Sequence, residues 1–259
     1  MQTAKQKLKR AAPWLFLLLV LAGLAAVRGL AANYEIGYEI MNGDFQNYNP
    51  VRHLLAGQVP YRDFTVYLGA GELYSVGGLL LVLGNSFGRS MFATNFCTWF
   101  YFELLVLAVC LVVIGTARAA RAAALALCSV FFAYVQGANL PFAGQVNTLL
   151  SYAAANGNSA RMMRSAALTL AVLVILLGLH FWQQDTSRRL LAPAVLVPFA
   201  AGFFVPWSND MGGAAYISIA LGYGLYLIRL YRSSIGKIVV QTLRYIVTSV
   251  VGLGVSVLL

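Results

Sequence analysis

Long apolar runs, separated by short basic clusters, alternate along most of this chain. A run of about 20 apolar residues matches the hydrocarbon thickness of a bilayer, so each long run predicts a membrane-spanning helix. We interpret seven runs as spans: residues 11–32, 91–117, 122–135, 166–181, 190–206, 211–228 and 238–259. The pattern therefore predicts an all-α protein, a polytopic transmembrane helix bundle of about 7 spans forming a single transmembrane domain over residues 1–259.

Composition agrees with this class of protein. Of the 259 residues, 60% are hydrophobic and only 10% are charged, whereas soluble domains carry ~25% charged residues. The mean hydropathy is +0.76. A soluble enzyme is excluded because it would leave too much apolar surface in water. The composition also excludes a disordered chain, a coiled coil and a disulfide-stapled secreted module.

The basic residues predict which segments face the cytoplasm. The net charge of +10 comes from clusters between apolar runs, which indicates orientation signals and not a nucleic-acid surface. Residues 1–10 carry four basic side chains and no acid, so we expect a cytoplasmic N-terminus. Three later clusters are assigned to the same side: Arg118 with Arg121, Arg188 with Arg189, and Arg229 with Arg232 and Lys237. Residues 33–90, 136–164 and 207–210 then lie outside, unless residues 145–160 form a further short span and reverse the sidedness of the later segments.

Residues 33–90 are predicted to be the first extracytoplasmic loop, with juxtamembrane helices. This region holds five of the eight acids of the chain: Glu35, Glu39, Asp44, Asp63 and Glu72. Asn49 and Pro50 predict a helix N-cap and first helical position, and Gly57 predicts the end of that helix. The apolar segment 76–83 is too short for a span, so we expect a helix that lies at the interface or re-enters the membrane.

Three motifs follow one another in this loop: Asp44 just after the first span, a helix ending in Leu-Leu-x-Gly at 54–57, and Pro-Tyr-Arg-Asp-Phe at 60–64. With the Phe-Gly-x-Ser turn at 87–90, they resemble the first extracytoplasmic loop of the GT-C glycosyltransferases, over roughly residues 13–120. That superfamily includes the protein O-mannosyltransferases, the lipid A aminoarabinose transferase and the catalytic subunits of oligosaccharyltransferase. Its members transfer a sugar from a polyprenyl-phosphate or diphosphate carrier to an acceptor outside the cytoplasm.

The resemblance implies a role for each polar residue of the loop. Asp44 would be the catalytic acid that orients or deprotonates the attacking hydroxyl, and Asp210, in a later outside turn, would be the second. Six residues would bind substrate: Glu39, Arg52, His53, Tyr61, Arg62 and Asp63. Among them the cationic side chains would hold the carrier phosphate. Some members of the superfamily bind a divalent metal and others do not, so a metal stays an open alternative and no other cofactor is implied.

The same resemblance implies the partners and the location. The partners would be a polyprenyl-linked sugar donor, the lipid bilayer, and a glycan, lipid or protein acceptor, with no nucleic acid. The protein would lie in the cell envelope, in the bacterial inner (plasma) membrane, with its active loop extracytoplasmic. The segment around 137–141 lacks the second acidic motif of the oligosaccharyltransferases, which argues against that branch. The chain ends inside an apolar run, so we expect either a fragment of a longer protein or a last span that ends abruptly.

Several of these residues also have a purely structural interpretation. Asp44 and Asp210 are also ordinary loop acids or helix caps, and Asp63 could pin the loop by pairing with a neighbouring charge such as Arg62. A non-catalytic protein of the same scaffold, which binds or transports a lipid-linked substrate, is the second functional hypothesis. Glu103 bears on that hypothesis because it lies in the middle of a predicted span, where a charge costs at least ~2.5–3.5 kcal/mol.

Overall fold

The structure is a computed structural model that describes residues 4–34, 42–66, 69–115, 118–135, 195–208 and 211–258. Within these residues the chain forms helices and no strand. The helices are α1 Ala4–Tyr34, α2 Asn42–Leu55, α3 Ala70–Leu83, α4 Phe87–Ile114, α5 Ala119–Val135, α6 Val197–Phe203, α7 Met211–Leu230 and α8 Ile235–Leu258. The predicted all-α class is confirmed for the described part of the chain.

Four of the described helices are long and apolar enough to cross a membrane, judged by length and composition. They are α1 over Ala12–Leu30, α4 over Phe87–Leu111, α7 over Met211–Arg229 and α8 over Ile235–Leu258. These four match predicted spans and identify an integral membrane protein. In the predicted spans 122–135 and 190–206, the described helices α5 and α6 have 17 and 7 residues. The predicted span 166–181 lies outside the described residues, so a bundle of about seven spans stays a prediction.

Helices α1 and α4 run antiparallel and share an apolar core with α5. That core contains Leu17, Leu21, Leu107, Cys110, Ala122 and Ala126. At the other end of α1, Gly29 lies against Phe92 near the start of α4, which fixes the antiparallel direction. The one charge in the first span, Arg28, lies 4.7 Å from the centroid of the Trp99 ring. A cation–π contact of this kind helps a charged side chain to remain in an apolar helix.

The start of α2 differs from the prediction. The helix begins at Asn42, so Pro50 lies inside it and Asn49 is not its N-cap. Asn49 instead accepts a hydrogen bond from Nη2 of Arg52, at 3.0 Å. A proline inside a helix removes one backbone hydrogen bond. Here the helix continues through Pro50 because the next residue, Val51, is completely buried against α3 and α4. Tertiary packing has therefore overridden the local signal.

The end of α2 agrees with the prediction. The last helical residue is Leu55, and Gly57 has a φ of 83°. This left-handed conformation is one that glycine adopts readily and other residues rarely do. The chain then turns back over residues 56–66, which we call the α2–α3 turn, and the next helix, α3, begins at Ala70.

Helices α3 and α4 form an antiparallel pair joined by a short connection. The hydroxyl groups of Ser75 and Tyr101 are hydrogen-bonded at 2.7 Å. Because a helix rises ~1.5 Å per residue, Tyr101 lies on the order of 20 Å along α4 from Phe87. Ser75, in the second turn of α3, is thus level with the middle of α4, and the α2–α3 turn precedes the N-terminal end of α3.

Helix α6 packs against α8 through two glycines. A Cβ atom on Gly202 would overlap the backbone of Ser249, and one on Gly252 would overlap the backbone of Phe199. Small residues let membrane helices approach this closely. The Ser249 hydroxyl also lies 3.0 Å from the hydroxyl of Tyr216, which joins α7 to the same pair of helices.

Candidate active site

Six of the eight residues predicted for the site lie in described parts of the chain. Asp44 is the third residue of α2, Arg52 and His53 are in its last turn, and Tyr61, Arg62 and Asp63 are in the α2–α3 turn. Glu39 and Asp210 lie outside the described residues. The structure therefore places five of the predicted residues around one end of α2, and Asp44 near the other end of the same helix.

Backbone hydrogen bonds close the α2–α3 turn. The N–H of Tyr61 donates to the carbonyl of Phe64 at 2.9 Å, and the N–H of Asp63 donates to the carbonyl of Val59 at 2.9 Å. The N–H of Val59 donates in return to Oδ2 of Asp63 at 2.8 Å. Tyr61 has a φ of 62°, which is uncommon for a residue with a Cβ and persists only where surrounding contacts hold it. Its side chain is 58% exposed, so the turn presents an aromatic ring outward.

Arg62 and Asp63 form a two-bond ion pair within this turn. Nε and Nη2 of Arg62 donate to Oδ1 and Oδ2 of Asp63 at 2.9 and 2.8 Å. These hydrogen bonds, together with the one from the N–H of Val59, lower the pKa of Asp63 to about 2. The same pairing raises the pKa of Arg62. The ion pair expected as the structural alternative for Asp63 is present, and the Asp63 carboxylate holds the turn together.

His53 connects the end of α2 to the turn. Its Nδ1 is hydrogen-bonded to Oε1 of Gln58, and its ring stacks on the ring of Phe64 with 5.3 Å between centroids. Because an amide oxygen only accepts, Nδ1 is the donor in this contact. The imidazole is therefore held in one orientation by groups that the turn supplies.

Arg52 and Arg62, the two arginines of the site, have different hydrogen-bond partners. The charge of Arg62 is balanced by the Asp63 carboxylate. Arg52 is exposed and donates to the side chain of Asn49, a neutral acceptor, and within the described part of the chain no acidic side chain forms an ion pair with it. An unbalanced guanidinium binds phosphate oxygens strongly, with fixed geometry. Of the two, Arg52 is the better partner for an anionic substrate.

Sequence reasoning counted Glu72 among the acids of the loop but did not predict that it is buried. Glu72 lies in the first turn of α3 and is only 6% exposed. The signal was present, since an acid in the first turn of a helix interacts favourably with the helix dipole. The predicted apolar segment starts at residue 76, whereas α3 begins at Ala70, so the prediction left Glu72 outside the helix.

A second missed feature is a joint between α3 and the segment before α7. The N–H groups of Ala70 and Gly71 donate to the carbonyls of Pro206 and Trp207, both at 3.0 Å. Gly71 also lies directly against the Trp207 indole, so that any Cβ there would overlap the ring. We call these four residues the α3 joint. The two segments that meet here belong to regions that the charge pattern assigned to the same side of the membrane.

Ligands for a metal are not grouped in the described part of the chain. No cluster of three or more histidine, cysteine, aspartate or glutamate side chains occurs there with the proximity that a metal ion requires.

The chain matches no family model, no curated protein and no solved structure. A functional assignment consequently rests on the residues and on their geometry.

Proposed function

We propose that this protein is a GT-C-type membrane glycosyltransferase, which moves a sugar from a polyprenyl-phosphate-linked donor to an extracytoplasmic acceptor. One observation carries the proposal: an ordered turn between two span-length helices, α1 and α4, presents cationic and aromatic side chains at one end of α2. This is where the motif resemblance puts the substrate loop of that superfamily.

Each residue has a role that its contacts support. Arg52 binds the donor phosphate, because its side chain is exposed and its hydrogen bond among the described residues goes to the neutral side chain of Asn49. Tyr61 offers an exposed ring to the sugar or the carrier. His53, Arg62 and Asp63 position the turn through their mutual contacts. In this scheme Arg62 and Asp63 support the site from within the turn.

The proposed reaction is an inverting displacement at the anomeric carbon. The acceptor hydroxyl forms a bond to that carbon and gives its proton to the Asp44 carboxylate. The bond between the anomeric carbon and the phosphate oxygen breaks, and the phosphate leaves with the electron pair. Arg52 balances the negative charge that develops on the leaving phosphate. Asp210 is proposed as an auxiliary acid on the acceptor side.

The position of the α2–α3 turn along the axis of α4 supports the proposal that the substrate is lipid-linked. Ser75, in the second turn of α3, is beside the middle of α4, and the α2–α3 turn precedes that end of α3. An ion pair in a turn near this level requires water or polar neighbours, because polar groups facing lipid are costly. We propose that the turn borders an aqueous recess open to the outside, where a carrier embedded in the bilayer can present its phosphate.

Sugar transfer in membranes tests the catalytic assignment. Membranes from cells producing the wild type, Asp44→Asn, Arg52→Gln or Arg232→Gln are incubated with radiolabelled polyprenyl-phosphate sugars. Asp44→Asn and Arg52→Gln should each lower transfer by at least ~100-fold, the low end of the contribution of a general base for Asp44 and of a charge-stabilising donor for Arg52. Arg232→Gln is the matched control, since Arg232 is exposed and lies between α7 and α8, far along the chain. Wild-type rates in both Asp44→Asn and Arg52→Gln would overturn the assignment.

Thiol accessibility tests the proposed location of the turn. In a background lacking the three native cysteines, a membrane-impermeant maleimide should label Tyr61→Cys in intact cells. Arg232→Cys should react only after the cells are permeabilised, because the charge pattern assigns it to the cytoplasm. Labelling of both positions, or of Arg232→Cys alone, in intact cells would contradict an extracytoplasmic turn.

A buried acid favours the second candidate function, binding or transport of a lipid-linked substrate. Glu103 lies inside the span-length part of α4 and is 0% exposed. Acids at such positions commonly mark ion or substrate pathways. Glu103→Gln should leave sugar transfer unchanged if the protein is an enzyme centred on the turn. If it is a transporter, Glu103→Gln should abolish movement of a fluorescent polyprenyl-phosphate across proteoliposomes that show no transfer activity.

A further inference from the structure

An apolar groove lies between α1 and α5 and contains no residue of the α2–α3 turn. It encloses about 340 Å³, and its lining residues in the described part of the chain belong to these two helices, including Trp14, Leu17, Val20, Ala119, Ala123 and Leu127. All of its lining residues are apolar. The volume is within the range of ligand pockets in proteins, ~300–1,000 Å³. We call it the α1–α5 groove.

Both helices carry basic residues in their first turns, at one end of the α1–α5 groove. Arg118 and Arg121 flank the lining residues Ala119 and Ala120, and both arginines are exposed. The first turns of α1, just before the lining residue Pro13, contain Lys5, Lys7, Lys9 and Arg10. Both helices begin at this end, so their dipoles add positive potential there. Neither helix contains an acidic residue.

We propose that the α1–α5 groove binds one anionic phospholipid, with an acyl chain along the apolar lining and the phosphate at the basic end. Basic pockets between membrane helices on the cytoplasmic side recognise anionic headgroups in this way. The inference does not depend on the proposed glycosyltransferase activity, because the groove shares no residue with the candidate active site.

The charge of the groove favours an anionic phospholipid over a neutral lipid or a second copy of this chain. A zwitterionic lipid such as phosphatidylcholine would fill the apolar part but gain less from the arginines, because its choline cation offsets the charge of its phosphate. A second copy of this chain carries a net charge of +10 and would bring its own basic clusters toward the groove, where like charges repel. An anionic lipid matches both the apolar lining and the basic residues of α1 and α5 at its end.

Native mass spectrometry of the purified protein tests the proposal. The detergent-solubilised protein is mixed with palmitoyl-oleoyl phosphatidylglycerol or with the phosphatidylcholine of identical acyl chains. One phosphatidylglycerol should be retained per chain, on the order of tenfold more strongly than phosphatidylcholine. Arg118→Gln with Arg121→Gln should remove that preference, since each basic residue near a membrane surface contributes about a factor of five in affinity.

A matched double variant separates a built site from general surface charge. Arg229→Gln with Arg232→Gln removes the same charge from two exposed arginines outside the groove and should leave retention unchanged. Ala120→Phe, at an exposed lining position, should fill the groove and lower retention of both lipids while the protein stays monodisperse on gel filtration. Equal retention of the two lipids, equal loss in both double variants, or unchanged binding in Ala120→Phe would each overturn the proposal.

Discussion

Replacement of Gly71 by alanine should open the α3 joint. A Cβ atom at this position would overlap the indole of Trp207, and the backbone on either side is held by the bonds from Ala70 to Pro206 and from Gly71 to Trp207. Trp207 supplies both the indole and one of the two acceptor carbonyls, so a backbone shift that moves the ring away would also lengthen the bond from Gly71. Gly71→Ala should therefore weaken both the packing against Trp207 and the two backbone hydrogen bonds of the α3 joint.

The cost can be worked from these contacts. Overpacking a buried site costs about 1–3 kcal/mol, and each of the two backbone hydrogen bonds contributes about 0.5–1.5 kcal/mol net. If the joint opens completely, the total is about 2–6 kcal/mol. The greater helix propensity of alanine returns about 1 kcal/mol. A net destabilisation of about 1–5 kcal/mol is expected for Gly71→Ala.

Thermal unfolding in detergent, compared among matched variants, measures this effect. Gly78→Ala is the control, because Gly78 lies on the same helix and a Cβ there meets nothing within 4 Å. It should be neutral or stabilising by up to about 1 kcal/mol. In a Trp207→Ala background the added Cβ has room, so Gly71→Ala should then cost far less than in the wild type. An equal cost in both backgrounds, or equal effects at Gly71 and Gly78, would refute the reasoning.

Three further outcomes are expected. Because the pKa of Asp63 is lowered from 3.8 to about 2, its pairing stabilises the turn above about pH 4 and is lost as the pH falls through 2. Carboxyl-carbon NMR should give a midpoint near 2 for Asp63, and a midpoint near 4 would disprove the pairing. A double-mutant cycle of Arg28→Met and Trp99→Leu should give a coupling of about 0.5–2 kcal/mol, and no coupling would argue against the cation–π contact. Tyr101→Phe should cost about 1 kcal/mol in unfolding free energy, and the loss should vanish in Ser75→Ala.

The sequence determined the class of the protein and its span-length helices. An apolar run of bilayer length has few structural solutions, because every backbone polar group in lipid needs an internal partner. The predicted spans 11–32 and 211–228 therefore correspond to α1 and α7. Their ends differ by a few residues because polar residues beyond an apolar run can continue a helix.

Some local contacts of the candidate site could also be predicted from the sequence. Arg62 and Asp63 are neighbours in the chain, so their pairing could be expected from residue order alone. The end of α2 followed from Gly57, whose backbone conformation is one that few other residues adopt. Both features depend on residues close together in the chain, where spacing carries the information.

Only the tertiary structure decided the rest. Pro50 was expected to start a helix, and burial of Val51 keeps it inside one. The contact of Gly71 with Trp207 joins residues far apart in sequence, and the α1–α5 groove exists because two apolar faces meet incompletely. The apolar periodicity of a sequence predicts which residues are buried, but it does not predict which helix faces pack against each other. Dispersion and burial stabilise almost any pair of apolar faces by similar amounts. Steric fit between distant segments makes that choice.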